Sequence, residues 1–322
     1  MRNRRDRARR NRRATARLVE SLEPRRLRAA AGDLDLGFGF LGKSTTTYAS
    51  GGVDDSGDAV AVVPGTGDFF VGGNVWAGNA FATLTRYLAN GTRDANFGAG
   101  GTIKFTNLPW RSVREIDVTS NSIVLLSTEA AAAGKPLLHR INAGGTADSF
   151  WVGPGTSIPG RGIAIEQQQY VLTSSALAQI KGDGTLNTTF GSGGLVVFPA
   201  ATAPNYIRYE PQAMVSFSGA LYVGGERLNV VTGERRAFVQ RYTTAGVLDT
   251  AWAGGGTLIL PNASTTNSGV RAMVLSGTNI VVAGRNGADS FAARFTPGTA
   301  AMDATFGTGG VFTFDAAPGN AD

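Results

Sequence analysis

The chain has 322 residues, with 45 Gly, 12 Pro, no Cys, a single His and a formal charge of +6. Without cysteine there is no disulfide and no thiolate metal site, and no apolar run approaches the roughly 18 residues of a membrane-spanning helix. The positive charge is concentrated at one end: residues 1–30 hold 12 of the 30 basic and three of the 24 acidic residues, giving +9, while the remainder carries −3. The body of the chain therefore has no global attraction for a polyanion, which argues against nucleic acid as its partner.

Residues 1–30 alternate arginine with small polar residues and contain no hydrophobic stretch of the kind a secretory signal needs. They read as a basic leader, disordered or processed, outside the fold. Within it, Leu22-Glu23-Pro24-Arg25-Arg26-Leu27 resembles the bacterial LEPR-x-L-L segment, with Arg28 where that pattern has a second leucine. The resemblance implies export, and an extracellular or cell-surface location is the expectation. A further reading keeps the chain inside the cell and sets residues 1–28 on nucleic acid.

From residue 31 onward the chain is self-similar. Asp35-Leu-Gly-Phe38-Gly39, Asp94-Ala-Asn-Phe97-Gly98, Asn187-Thr-Thr-Phe190-Gly191, Asp249-Thr-Ala-Trp252 and Asp303-Ala-Thr-Phe306-Gly307 are copies of one signature, and Asp148-Ser-Phe150 is a shortened one. The aromatic anchors at 38, 97, 150, 190, 252 and 306 are spaced by 59, 53, 40, 62 and 54 residues, which suits four-stranded propeller blades of about 40 to 50 residues. Between signatures come alternating strands such as Ala220-Leu-Tyr-Val-Gly-Gly225 and Asn279-Ile-Val-Val-Ala-Gly284. A further strand ends in Arg-aromatic or Arg-Ile, as at Arg241-Tyr242, and a glycine turn leads to the next signature.

These observations predict an all-β chain, a β-propeller of about five four-stranded blades with room for a sixth incomplete one. The expected blades are 42–97, 101–150, 151–190, 194–252 and 256–306, with a closing strand at 307–316, inside a domain of 31–322. Over about residues 33–314 the chain resembles the delta-60 repeat, a bacterial β-propeller family. That resemblance implies a propeller, often extracellular, without an assigned catalytic site.

Arginine and aspartate recur together as Arg86 and Asp94, Arg140 and Asp148, Arg241 and Asp249, and Arg294 and Asp303. The third unit has Gln179 and Asn187 at the same places. Both charges vanish together, as they should if the side chains meet across the turn, since a lone buried charge is costly. These pairs read as fold devices, and the aromatic anchors as wedges between blades.

The residue preceding the second predicted strand segment of each unit is Asp58, Arg114, Arg161, Gln212 or Arg271. Rotational repetition would place Arg114, Arg161 and Arg271 on one rim. Trp110, Tyr206 and Arg208 in the adjoining loops would add stacking and bidentate contacts suited to an anionic polymer. The acidic turn Asp54-Asp55-Ser56-Gly57-Asp58 offers oxygens for calcium but lacks the twelfth-position glutamate of a helix-loop-helix site. No cofactor is expected, and His139, inside a strand, reads as structural.

No nucleophile elbow, phosphate loop or dinucleotide fingerprint is present. The expected function is thus a non-catalytic, monomeric binding or scaffold module for a surface polysaccharide, peptide or protein. The alternative is a propeller enzyme, a carbohydrate-active hydrolase or lyase or a lactonase, with carboxylates or a metal in the central channel. Two or more acidic residues on the axis would favour the enzyme, and an apolar, glycine-lined channel would not.

Overall fold

The computed structural model describes residues 35–46, 55–77, 79–106, 110–118, 122–129, 136–142, 144–148, 158, 162–167, 169–198, 206–260 and 267–314. The leader, with its Leu22 to Leu27 segment, lies outside them. The chain divides into two compact units, Met1–Thr45 and Thr46–Asp322. In the first, the described residues form the signature turn: the Phe38 amide donates to the Asp35 carbonyl at 2.9 Å, and the Gly37 amide to the Asp35 carboxylate at 2.9 Å.

The second unit holds five four-stranded antiparallel sheets, each built from consecutive strands. The first is β1 (Asp55–Val62), β2 (Phe69–Ala77), β3 (Asn79–Tyr87) and β4 (Thr102–Phe105). The second is β5 (Trp110–Val118), β6 (Ser122–Glu129), β7 (Pro136–Asn142) and β8 (Ala147–Asp148). The third is β9 (Gly162–Glu166), β10 (Tyr170–Thr173), β11 (Ala176–Gln179) and β12 (Leu195–Val197). The fourth is β13 (Ile207–Phe217), β14 (Ala220–Asn229), β15 (Arg235–Thr243) and β16 (Thr257–Ile259). The fifth is β17 (Ser268–Ser276), β18 (Asn279–Asn286), β19 (Asp289–Phe295) and β20 (Val311–Phe314).

Strand period two explains why the sheets stack. Along β14, Leu221 and Val223 join Tyr170, Leu172 and Phe190 of the third sheet, while Tyr222 between them joins Ile280 and Val282 of the fifth. A sheet apolar on both faces is a blade, and each blade packs on the next in chain order. The first strands β1, β5, β9, β13 and β17 meet one another from sheet to sheet, and the last strands do not, so the first strands are the inner ones.

The signature is the turn from third to fourth strand. The Asp249 amide bonds back to the Arg241 carbonyl at 2.9 Å and the Trp252 amide to the Asp249 carbonyl at 3.1 Å, with the same bonds at Asp94, Asn187 and Asp303. Gly191 sits at φ 54°, where a Cβ would lie 2.2 Å from the Leu195 carbonyl oxygen, so only glycine closes the turn. Because the chain reverses here, the strand after the signature at Asp94, Asn187, Asp249 and Asp303 completes its own sheet instead of opening the next, while in the second blade the fourth strand is Ala147–Asp148 itself. The blades therefore run 55–105, 110–148, 162–197, 207–259 and 268–314, in place of the expected boundaries. The segment expected to close the ring is the outer strand of the fifth blade, and no sixth sheet occurs among the described residues.

The anchors pack on the turn of the following blade. A Cβ on Gly145 would lie 3.1 Å from the Phe97 ring, and one on Gly246 would lie 3.0 Å from the Phe190 ring. Trp252 donates its Nε1 hydrogen to the Pro297 carbonyl at 2.7 Å, which satisfies the buried indole. Phe150 lies outside the described residues.

Candidate active site

Each inner strand carries a bulge at one shared place, β5 having a second register shift between Trp110 and Val113, and the shared bulges fix which residues are equivalent around the blades. The pairing skips Asp58, Arg114, Ile163, Gln212 and Arg271. In the first, fourth and fifth blades a glycine faces the kink because nothing else fits: a Cβ on Gly225 would stand 2.1 Å from the Glu210 carbonyl oxygen. The third blade corrects the sequence alignment. Its bulged residue is Ile163, two positions after Arg161, so isoleucine and not arginine occupies the rim position there. Arg161 itself lies outside the described residues.

With the register corrected, Glu115 takes the position held by Ala59, Ala164, Ala213 and Ala272. Asp117 and Glu166 share the next inner position on the same face, held elsewhere by Ala61, Val215 and Val274. Three carboxylates thus replace small or aliphatic residues on two neighbouring inner strands, β5 and β9. Glu115 and Asp117 pair with Leu126 and Val124, whose side chains pack on the third blade. Glu166, in the place equivalent to Asp117, likewise faces the blade that follows its own, where the Ser216 hydroxyl of β13 donates to its Oε1 at 2.9 Å.

The electrostatics are those of crowded like charges. Burial pushes the Glu115 carboxyl up to about 7, and the negative charges of Asp117 and Glu166 add to the rise. Glu166 is also raised, by burial first, with the Ser216 hydrogen bonds opposing and Asp117 adding. Near neutral pH Glu115 is divided between acid and carboxylate, the condition for donating and recovering a proton. A cavity of about 70 Å³, lined by Gln167, Tyr170, Ser216 and the β13–β14 turn, adjoins the Glu166–Ser216 bond. It has space for about two waters.

The rim arginines are placed differently from one another. Arg114 is exposed at its bulge, and Tyr206 is exposed at the start of β13. The side chain of Trp110 lies outside the described residues. Arg208 is ion-paired with Glu210, and Arg271 with the buried Glu226. Glu226 also takes Arg235 at 2.6 Å and Arg285 at 3.2 Å, while Arg235 reaches Glu210 at 2.7 Å. Arg208 and Arg271 are therefore engaged with carboxylates where the fourth blade meets the fifth.

The repeat pairs lie at the signature turns. Arg241 reaches Asp249 at 3.0 Å, Arg294 reaches Asp303 at 2.7 Å, and Arg86 lies 3.4 Å from Asp94 and 2.9 Å from Asp68. In the third blade Asn187 donates to Gln179 Oε1 at 2.7 Å. Arg140 is described, but the Asp148 side chain is not. The second carboxylate oxygen caps the turn, as where the Thr305 amide donates to Asp303 at 3.0 Å.

Burial holds His139 down at about 4, a neutral imidazole on the β7 face that packs against the first blade. Asp58 accepts hydroxyl hydrogens from Ser56 and Ser112. Asp54 is not described, and no cluster of three metal-ligating side chains occurs among the described residues. No described helix is long and apolar enough to cross a membrane.

No protein-family description matches the chain, and no curated protein does. Among solved structures, the chain is similar to the PQQ-bound form of an aldose sugar dehydrogenase from Streptomyces coelicolor. The identity is 14%, covering 84% of each chain, with a TM-score of 0.41. A putative 6-phosphogluconolactonase from Bacteroides fragilis matches at 14% identity over 76% of this chain and 69% of that one, TM-score 0.41. An arabinanase from Bacillus subtilis matches at 11% over 73% and 91%, TM-score 0.36.

This chain's own inner strands carry carboxylates where the repeat has alanine and valine, which favours the enzymatic alternative over a binding module. The expectation of a non-catalytic binding module is accordingly withdrawn. Five four-stranded sheets that pack in chain order with their first strands inward establish the fold: the chain is a β-propeller.

Proposed function

We propose that this propeller is an enzyme that hydrolyses a glycosidic bond by carboxylate acid–base chemistry on its inner strands. Glu115 donates the proton to the leaving oxygen, and Asp117 and Glu166 are the acidic groups available to take a proton from water. The observation that carries the reading is Glu115, held at about 7 with Asp117 and Glu166 close enough to raise it. A half-buried acid among like charges is a poor structural device and a good proton donor.

The test is hydrolysis of a panel of aryl pentosides and hexosides and their oligosaccharides by the wild type and Glu115→Gln. The variant should lose about 10²- to 10⁴-fold on unactivated substrates and much less on aryl glycosides whose leaving group needs no proton. A wild type inert across the panel, or a variant equal to it on oligosaccharides, would overturn the reading.

The reading also includes export and membership of the delta-60 repeat group. Support for export is the Leu22 to Leu27 segment, and for membership the signature turn at Asp35, Asp94, Asn187, Asp249 and Asp303. An extracellular polysaccharide is the substrate class that fits an exported protein of this kind. Mass spectrometry of the native chain from medium and cell fractions tests export, which a cell-bound protein with an intact residue 1 would refute.

A further inference from the structure

Four joints between blades repeat one pattern, and the two outermost faces of the series carry that pattern exposed. On the side that a blade turns to its successor, Val215 of the fourth blade is 6% exposed, while its equivalent in the fifth, Val274, is 58% exposed. The position four residues past the last glycine of the signature behaves alike in the first, third and fourth blades: Leu260 is 4% exposed, and Phe105 and Phe198 are buried, whereas its equivalent in the fifth, Phe314, is 51% exposed. The anchors Phe97, Phe190 and Trp252 are buried against the next blade's turn, but Phe306 is only partly covered, with the Arg294 guanidinium over its ring at 4.9 Å.

The opposite side of the series shows the same thing. Val60 of the first blade is 67% exposed, and Val62 is exposed too. Ile116, Ile165 and Met214, at the Val60 position of the next three blades, are buried against the blade before them. Among the described residues no packing of the fifth sheet on the first matches that between neighbours.

An apolar blade face of this kind is an interaction surface, and its chemistry says what fits it. The Val274, Phe312 and Phe314 face is built to receive the inner-strand aliphatics of another blade of this repeat, and the Val60 face is such a surface. We infer that a second copy of this chain sets its first blade on the fifth blade of the first, continuing the joint already made four times within the chain. The contact is heterologous, tail to head, so two copies joined at both ends close and further copies extend. This departs from the monomer expected from sequence.

The experiment is sedimentation velocity on the full chain and on two variants at exposed positions, Val60→Asp and Val274→Asp, with unchanged circular dichroism as the folding control. The wild type should sediment as a dimer or larger species, and each variant alone as a monomer. An equimolar mixture should form a one-to-one dimer and nothing larger, because only one compatible pair of ends remains. A wild type monomeric at every concentration overturns the inference. So does an assembly indifferent to both substitutions, or a mixture in which no heterodimer forms.

Discussion

Carboxylates are withdrawn from solvent in two places, fully at Glu226 and partly at Glu115, and their surroundings are opposite. Where the fourth blade meets the fifth, Glu226 is enclosed by Arg235, Arg271 and Arg285, with Glu210 and Arg208 extending the network. On the second and third blades, the charges that act on Glu115 are Asp117 and Glu166, both of its own sign. One arrangement satisfies an ionised group and binds two blades together. The other leaves a carboxyl that is easier to bury protonated, which costs stability at neutral pH and yields a group that exchanges protons there.

The comparison is broken most severely at Glu226. Glu226→Ala removes the one carboxylate shared by three guanidiniums, and we expect a loss of about 2–3 kcal/mol by urea denaturation, below the usual figure for a buried pair because the arginines are partly solvated. Glu115→Gln should do the reverse. Its carboxyl is raised from 4.5 to about 7 in the folded state, so the folded protein binds the proton more tightly than the unfolded chain. Stability from this group is full below 4.5 and is lost as the pH rises to about 7. Glu115→Gln should therefore match the wild type near pH 4.5 and exceed it by about 1–3 kcal/mol at pH 8, measured as the difference between denaturation midpoints at the two pH values.

A smaller effect sharpens the same contrast. Ser216→Ala removes the hydrogen bond that opposes the rise at Glu166, so the Glu166 carboxyl should titrate at a higher pH, read by carboxyl-carbon NMR. Smallest is Arg241→Ala, which breaks a partly exposed pair with Asp249 and should cost about 0.5–1 kcal/mol by the same denaturation assay.

The fold was legible because its devices recur. The signature turn is written five times in residues whose roles are local, three times as Asp-x-x-Phe-Gly and with substitutions at Asn187 and Trp252, and charge is lost jointly at Gln179 and Asn187. Blade phase was not legible, since a strand after a turn can pair backward or forward, and the pairing of Thr257–Ile259 with residues 238–240 of the preceding strand settles which. The carboxylate site was missed for a related reason. A two-residue slip in the short third blade aligned Arg161 with Arg114 and hid the equivalence of Asp117 and Glu166. The signal was present in the sequence as acidic residues at positions where Ala59, Ala61, Ala213 and Val215 show the repeat to be small or aliphatic, but it can be read only after Ile163 is recognised as the bulge.

The neutral turn of the third blade has a consequence of its own. Asp303 is held below the ordinary aspartate range, first by the Thr305 hydrogen bonds and then by Arg294. Its contribution is present above 3.8 and fades as acid takes the pH down through its lowered value. Gln179 and Asn187 have nothing to protonate, although Asp183 in the turn between them is lowered by its Thr185 hydrogen bonds and yields to acid as Asp303 does. In acid the signature turns should therefore loosen unevenly, the amides of residues 303–306 exchanging their hydrogens while those of 187–190 stay protected, so that the short blade's signature is the last of the copies to remember its shape.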